Sequence, residues 1–186
     1  MRYSADHKAQ THQRIIKEAS ERIRRDGIGA TGLQPLVKAL GLTHGGFYSH
    51  FTSKDELVEE ALSSAAQDLD AHCATLFAQA QPLQAFIDNY LSEWHRTSPH
   101  LGCPLPTMSA ELGQRGQPSP ITDAVLNTRL AQLEDTLEGD NKAQRSLMIM
   151  STLVGALMLS RSVENAELGE RILDVVANGL KERELK

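Results

Sequence analysis

Between Gly41 and Lys54 the chain sets Thr43, His44, Tyr48, Ser49, His50 and Lys54 around a pair of glycines, Gly45 and Gly46. Hydroxyl, imidazole, phenol and ammonium groups all donate hydrogen bonds, and donors gathered on one short segment suit phosphate oxygens and the acceptor edges of bases. The chemistry expected of such a set is recognition of a polyanion. Leu42, Phe47 and Phe51 fall elsewhere in the same segment and supply an apolar underside. The division of labour follows from reach: His44 is expected at a base edge, while Thr43, Tyr48, His50 and Lys54 are expected to grip phosphates.

Those side chains need rigid elements beneath them. Leu33, Leu36, Val37 and Leu40 repeat at i, i+3, i+4 and i+7, one face of a helix, and Gly41 stops it in the left-handed conformation that glycine adopts without a Cβ penalty. A second short helix follows, with Thr43 as its N-cap, so the pair reads as a helix-turn-helix. Gly45 and Gly46 disfavour a helix interior by ~1 kcal/mol each. Either they let the backbone sit deep in a groove, or the helix start is frayed. His7 to Arg25 forms a preceding brace with Ile15, Ile16, Ala19 and Ile23 inward, ended at Asp26-Gly27. Arg2, His7 and Lys8 reach a duplex backbone or are a solvated tail, and Thr31 either caps the second helix or meets a phosphate. Ser53 caps the helix that Lys54 opens, with Glu56 at capping-box spacing.

The run Gly41-Leu42-Thr43-His44-Gly45-Gly46-Phe47-Tyr48-Ser49-His50-Phe51-Thr52-Ser53-Lys54-Asp55-Glu56-Leu57 resembles the DNA-binding signature of the TetR family of transcriptional regulators, and Gly27-Ile28-Gly29-Ala30-Thr31 resembles the family's approach to its second helix. The likeness covers about the first third of the chain. Gln34-Pro35-Leu36-Val37 departs from it, since the family usually places a polar residue and an Ile-Ala pair there. The resemblance implies DNA contacts at Thr31, Thr43, His44, Gly45, Gly46, Tyr48, His50 and Lys54. It implies an all-α chain, with a three-helix helix-turn-helix domain over residues 1–53 and a helical ligand-binding and dimerisation domain over 54–186.

Charge agrees with that division. The 186-residue chain carries a net charge of −5. Residues 1–56 nevertheless hold nine Lys or Arg against six Asp or Glu, a basic head on an acidic body. Aromatic content of 4% and the lack of β-branched alternation favour helix. No apolar run approaches the ~20 residues that span a bilayer, and no signal-peptide core follows Met1, so a cytoplasmic protein without membrane contact is expected. Two cysteines, Cys73 and Cys103, are too few for a disulfide framework and lack zinc-ligand spacing. Neither cofactor nor metal is expected.

Asp55 to Gln79 reads as one long helix of ~37 Å, joining head to body. Further helices are expected from Pro82 to about Thr97, around Thr107 to Gln114, over Ile121 to Leu137 with Asp140 capping the next, over Lys142 to Arg161 and over Leu168 to Arg183. The family resemblance implies a small-molecule cavity between the middle helices, for which Phe77, Phe86, Tyr90, Trp94, Cys103, Met108, Glu111 and Met148 are the candidates. The effector expected is apolar or electrophilic. Cys103, between Gly102 and Pro104, is either a sensing thiol, as in a subgroup sharing the Gly-Cys-Pro segment, or an inert buried one. The last two helices, rich in small residues, pair with those of a second copy or form the core of a monomer; the resemblance implies a homodimer.

The function so implied is a repressor that binds a near-palindromic double-stranded operator and is released by a ligand or by cysteine modification. A helical enzyme or carrier for an apolar metabolite is the alternative from another class. The sequence shows no Gly-rich phosphate loop after a strand, no nucleophile elbow and no His-Glu-x-x-His set, and His72, His95 and His100 are scattered.

Overall fold

The computed structural model describes residues 5–185, whose regular elements are all helices with no strand among them. Arg2 lies outside the described residues. Helix α1 (Ala5–Ala30) is interrupted at Gly27, whose φ of 88° and ψ of 169° break the helical path just where Asp26-Gly27 was expected to end it. Ile28 to Ala30 then make a last turn leading to α2 (Leu33–Ala39). Pro35 is the third residue of α2, where its missing N–H has no intrahelical partner to lose, and Gly32 rather than Thr31 occupies the N-cap. α3 (His44–Tyr48) and α4 (Lys54–Phe77) complete the head and begin the body.

Above them lie α5 (Pro82–Tyr90), α6 (Glu93–Thr97), a 3-10 turn (Pro99–Leu101), α7 (Leu105–Arg115), α8 (Pro120–Thr136), α9 (Lys142–Ser162) and α10 (Ala166–Glu184). The helix expected from Pro82 to about Thr97 is two helices. Ser92 breaks it, its hydroxyl accepting the His95 N–H as the cap of α6. Asn141, with a left-handed φ of 58°, takes the N-cap of α9 in place of Asp140.

Two apolar cores result. The lower one gathers Ile15, Ile23, Leu36, Phe47, Phe51 and Leu57, and α7 adds Met108 to it. The upper one is built around Phe86, Ile87, Leu133, Ile149, Leu153 and Leu157. Helix α4 contributes to both, Leu57, Ala61 and Leu62 below and Leu69, Cys73 and Leu76 above. α9 is long and apolar enough by length and composition to cross a membrane, which the sequence reading did not anticipate. Its fully buried residues Ile149, Met150, Leu153 and Leu157 belong to the upper core, and Lys142, Arg145 and Arg161 sit on it, so it reads as a core helix.

Candidate nucleic-acid interface and effector cavity

The turn between α2 and α3 closes with the Leu42 N–H donating to Val37 O at 2.8 Å while Gly41 holds a φ of 66°. That geometry satisfies the last carbonyls of α2 and needs a residue without a Cβ at Gly41. Thr43 caps α3, accepting the Gly46 N–H at 3.0 Å. The helix is therefore formed from its first residue. A Cβ at Gly45 would meet nothing within 4 Å, so no internal contact requires that glycine, and its bare backbone faces outward.

The face divides as its residue types demand. Phe47 is fully buried and stacks on Phe51 at 5.3 Å, and Phe51 in turn stacks on His12 at 4.5 Å. Thr43, His44 and Tyr48 are exposed, Tyr48 by 55%, with the His44 and Tyr48 rings 6.2 Å apart. Lys8, Arg14, Lys17 and Lys38 are exposed cations of the head, as is Arg25. Arg22 and Arg25 pair with Glu18 and Asp26, and Arg24 is buried against Asp68.

Other expected contact residues have partners inside the protein. Thr31 is buried, and its hydroxyl donates to Gly27 O at 2.6 Å, fastening the kink rather than facing a phosphate. The Lys54 ammonium reaches back to Ile28 O at 3.3 Å. His50 is half-buried beside His12, and its Nδ1 is buried without a partner. Burial, then the positive charge of His12, Lys8 and His7, holds its pKa below the usual value. Glu56 accepts from the Thr52 N–H at 2.5 Å and the Thr52 hydroxyl at 2.7 Å, one residue before the capping-box position.

Glu111, expected in a ligand cavity, instead joins body to head. Its carboxylate accepts the Ile28 N–H at 2.6 Å and the Gly29 N–H at 2.7 Å, the amides that the Gly27 kink frees, and pairs with Arg115 at 2.5 Å. The Thr107 hydroxyl donates to Arg24 O at 2.7 Å beside it. A carboxylate on two free amides of a helical turn is favourable by charge and by dipole.

A cavity of about 30 Å³ opens between α4, α5, α6 and the Gly102–Cys103 segment, room for roughly two waters. Of the expected residues, Phe86, Tyr90, Trp94 and Cys103 line it. Phe77 stacks on Phe86 at 5.0 Å from outside, Met108 lies in the lower core, and Met148 is 53% exposed on α9. Among the further lining residues not expected from the sequence are His95 and Arg129. His95 is buried; its Nδ1 donates to Tyr90 O at 2.8 Å and its Nε2 accepts the Cys103 N–H at 3.0 Å. Burial lowers its pKa to about 4, so the ring is neutral and braces the segment. A Cβ on Gly102 would run into this ring, which is why the residue before Cys103 is glycine. Burial pushes the Cys103 thiol up to about 11 and raises that of Cys73 as well.

A short polar helix presented over buried aromatics, braced by α1 and followed by an all-helical body, is a helix-turn-helix arrangement. Residues 15–61 match the model of the bacterial regulatory proteins of the TetR family. An uncharacterised HTH-type transcriptional regulator of Mycobacterium tuberculosis (strain CDC 1551 / Oshkosh) is 26% identical over 161 residues, covering 80% of this chain and 83% of that one. Among solved structures, a TetR transcriptional regulator from Chloroflexus aurantiacus J-10-FL superposes with a TM-score of 0.80 at 22% identity, covering 95% of this chain and 97% of that one. A TetR transcriptional regulator from Legionella pneumophila does so with a TM-score of 0.76 at 18% identity, over 99% and 100% of the two chains. Residues 15–61 thus match the TetR-family DNA-binding domain, and the chain as a whole takes a TetR-type fold.

Proposed function

We propose that this regulator is a cytoplasmic homodimeric repressor that grips a near-palindromic operator with two copies of α3 and lets go when a small molecule fills the cavity around Tyr90, Trp94 and Cys103. The observation that carries the reading is the division of α3: Thr43, His44 and Tyr48 are exposed directly above the buried Phe47 and Phe51. His44 reads a base edge, while Thr43 and Tyr48 hold phosphates and the bare Gly45 lets the backbone approach. A single five-residue helix covers too few base pairs for useful specificity, which favours a pair of heads about one helical turn apart.

The paired copy has a surface to meet. Leu147, Met148, Met158 and Leu159 of α9 and Val175 of α10 are large apolar residues left exposed, and Cβ atoms at Gly155 and Gly179 would meet nothing within 4 Å. An apolar, small-residue face of two helices suits packing against its own symmetry mate. Release is a population shift: occupancy of the cavity moves the segment from Gly102 to Leu105 and the α7 that follows it, Glu111 carries that shift to Ile28 and Gly29, and the two heads lose their common register.

Of the two release routes, the ligand is favoured over modification of Cys103, since a buried thiol held protonated at neutral pH is a poor nucleophile. A mobility-shift experiment on the DNA flanking its own gene tests the function. Retardation that survives competition by unrelated duplex is expected, and its absence sinks the repressor reading. Alkylation and peroxide treatment of wild type and Cys103→Ser test the second route: identical behaviour of the two excludes it.

A further inference from the structure

The cavity holds more hydrogen-bond donors than its own residues can satisfy. Arg129 is 1% exposed, with its Nη2 engaged on Asp70; Nε and Nη1 are buried without a well-aligned partner, only the Cys73 thiol lying close to the guanidinium. Tyr90 is 4% exposed, and its hydroxyl has no well-aligned hydrogen-bond partner, only the Cys103 thiol beside it. Both residues line the cavity. Each unpartnered buried donor carries a desolvation penalty, and for a guanidinium the penalty is larger. The other polar groups at the wall are already engaged: His95 with Tyr90 O and the Cys103 N–H, His72 with Asn89, and Asp68 with Arg24 at 3.4 Å. Among the described residues, the buried side-chain capacity left open toward the cavity is that of these donors.

Charge sharpens the chemistry. The Arg129 guanidinium lies next to the Cys73 thiol, and Arg161 lies close enough to Tyr90 for its charge to act on the phenol. Asp70, which balances Arg129, is half-exposed and therefore partly screened by water. A dianion would exceed what one partly neutralised guanidinium compensates, whereas a single carboxylate fits it. The rest of the wall is apolar, with Leu69, Phe86, Trp94 and Leu101. Trp94 and Leu101 are 46% and 47% exposed, so they are the part of the wall free to turn aside and enlarge a space of about 30 Å³.

We propose that this cavity is the binding site for a small apolar monocarboxylate, whose head accepts from Arg129 and the Tyr90 hydroxyl and whose body lies against Phe86, Trp94 and Leu101. The proposal rests on the effector reading above and adds to it the chemical class of the ligand. It also accounts for a buried guanidinium that keeps two nitrogens without a well-aligned partner in the lining.

Trp94 is the chain's single tryptophan, so its fluorescence reports directly on this cavity. The full-length protein is titrated with octanoate and phenylacetate, and with their uncharged counterparts octanamide and phenylacetamide, in wild type, Arg129→Met and Tyr90→Phe. Acids are expected to bind at least about tenfold tighter than amides in the wild type, the difference expected of a charge-assisted hydrogen bond. That ratio falls toward one in Arg129→Met and shrinks in Tyr90→Phe, which keeps the ring and so the fold. Amides binding as well as acids, a ratio indifferent to Arg129, or no binding by either series overturns the proposal. Acids that bind through Arg129 yet leave operator binding unchanged would remove the effector reading and keep the site. Operator release by an uncharged compound, with no preference for acids, would do the reverse.

Discussion

The His44 and Tyr48 rings stand 6.2 Å apart on the exposed face of α3, yet they answer to different chemistry. A phenol that donates to a phosphate contributes equally on every sequence, so Tyr48→Phe is expected to weaken all duplexes alike, by about 1 kcal/mol. The Lys54 ammonium has two donors left beyond its bond to Ile28 O and is expected to reach a phosphate with them, so Lys54→Ala should in addition lower the salt slope of binding by about one. His44→Ala is expected to change the ranking of operator variants at one position by ~1–3 kcal/mol, read by titrating a panel of single-base variants. A uniform loss in that panel would transfer the base reading to another residue. His95 gives a prediction about stability. Its pKa falls from 6.5 to about 4 on folding, so the unfolded chain binds the proton more readily. Its contribution is present above about pH 6.5 and is lost as pH falls toward 4, up to roughly 3 kcal/mol. Thermal melts between those limits should slope less steeply in His95→Gln than in wild type. Most of the polar face of α3 was readable from residue types alone. The position of His95 was not, because its two partners are a carbonyl and an amide that only the bend at Ser92 brings to its ring.

Elements differ in how far local sequence dictates them. Gly41, Thr43 and Ser53 each act at their own position as turn residue or cap, through hydrogen bonds to neighbours within a few residues, and such signals can be read directly. The division of the Pro82–Thr97 stretch was obscured because its apolar residues keep a helical spacing across the break, although Ser92 is a fair cap. Glu111 had no local signal at all: its partners lie 83 and 82 residues away, and only the Gly27 kink leaves their amides free. That carboxylate couples the position of α7 to the head. Glu111→Gln keeps the shape but loses the charge, and is expected to cost about 2 kcal/mol at the kink. Amide exchange at Ile28 and Gly29 should quicken while the helical content by circular dichroism stays unchanged. Operator affinity in this variant should respond less to whatever ligand releases the wild type.

At the scale of the whole chain, the expected boundary between residues 53 and 54 follows the sequence motif, while packing joins the two parts. α4 enters both cores and Met108 of α7 is buried in the lower one. Composition could not have shown this, because an apolar residue at helical spacing does not say which core it joins. Because α4 and α7 pack into both parts, in the proposed dimer the distance between two heads is set by how two bodies pair. That pairing is testable on the face formed by α9 and α10. Val175 is 64% exposed and Leu159 59%, and each is free to take a charge in an isolated chain at little cost to its fold. In a dimer packed on this face the same charge is desolvated without a partner, a penalty of several kcal/mol. Val175→Asp and Leu159→Arg are therefore expected to leave thermal stability at low concentration nearly unchanged while light scattering falls from twice the chain mass to 20.4 kDa. Operator binding should fall with the mass, since one head holds only half the contacts. A wild-type protein that is already monomeric at micromolar concentration would remove the paired heads, and the exposed apolar face would then need another partner.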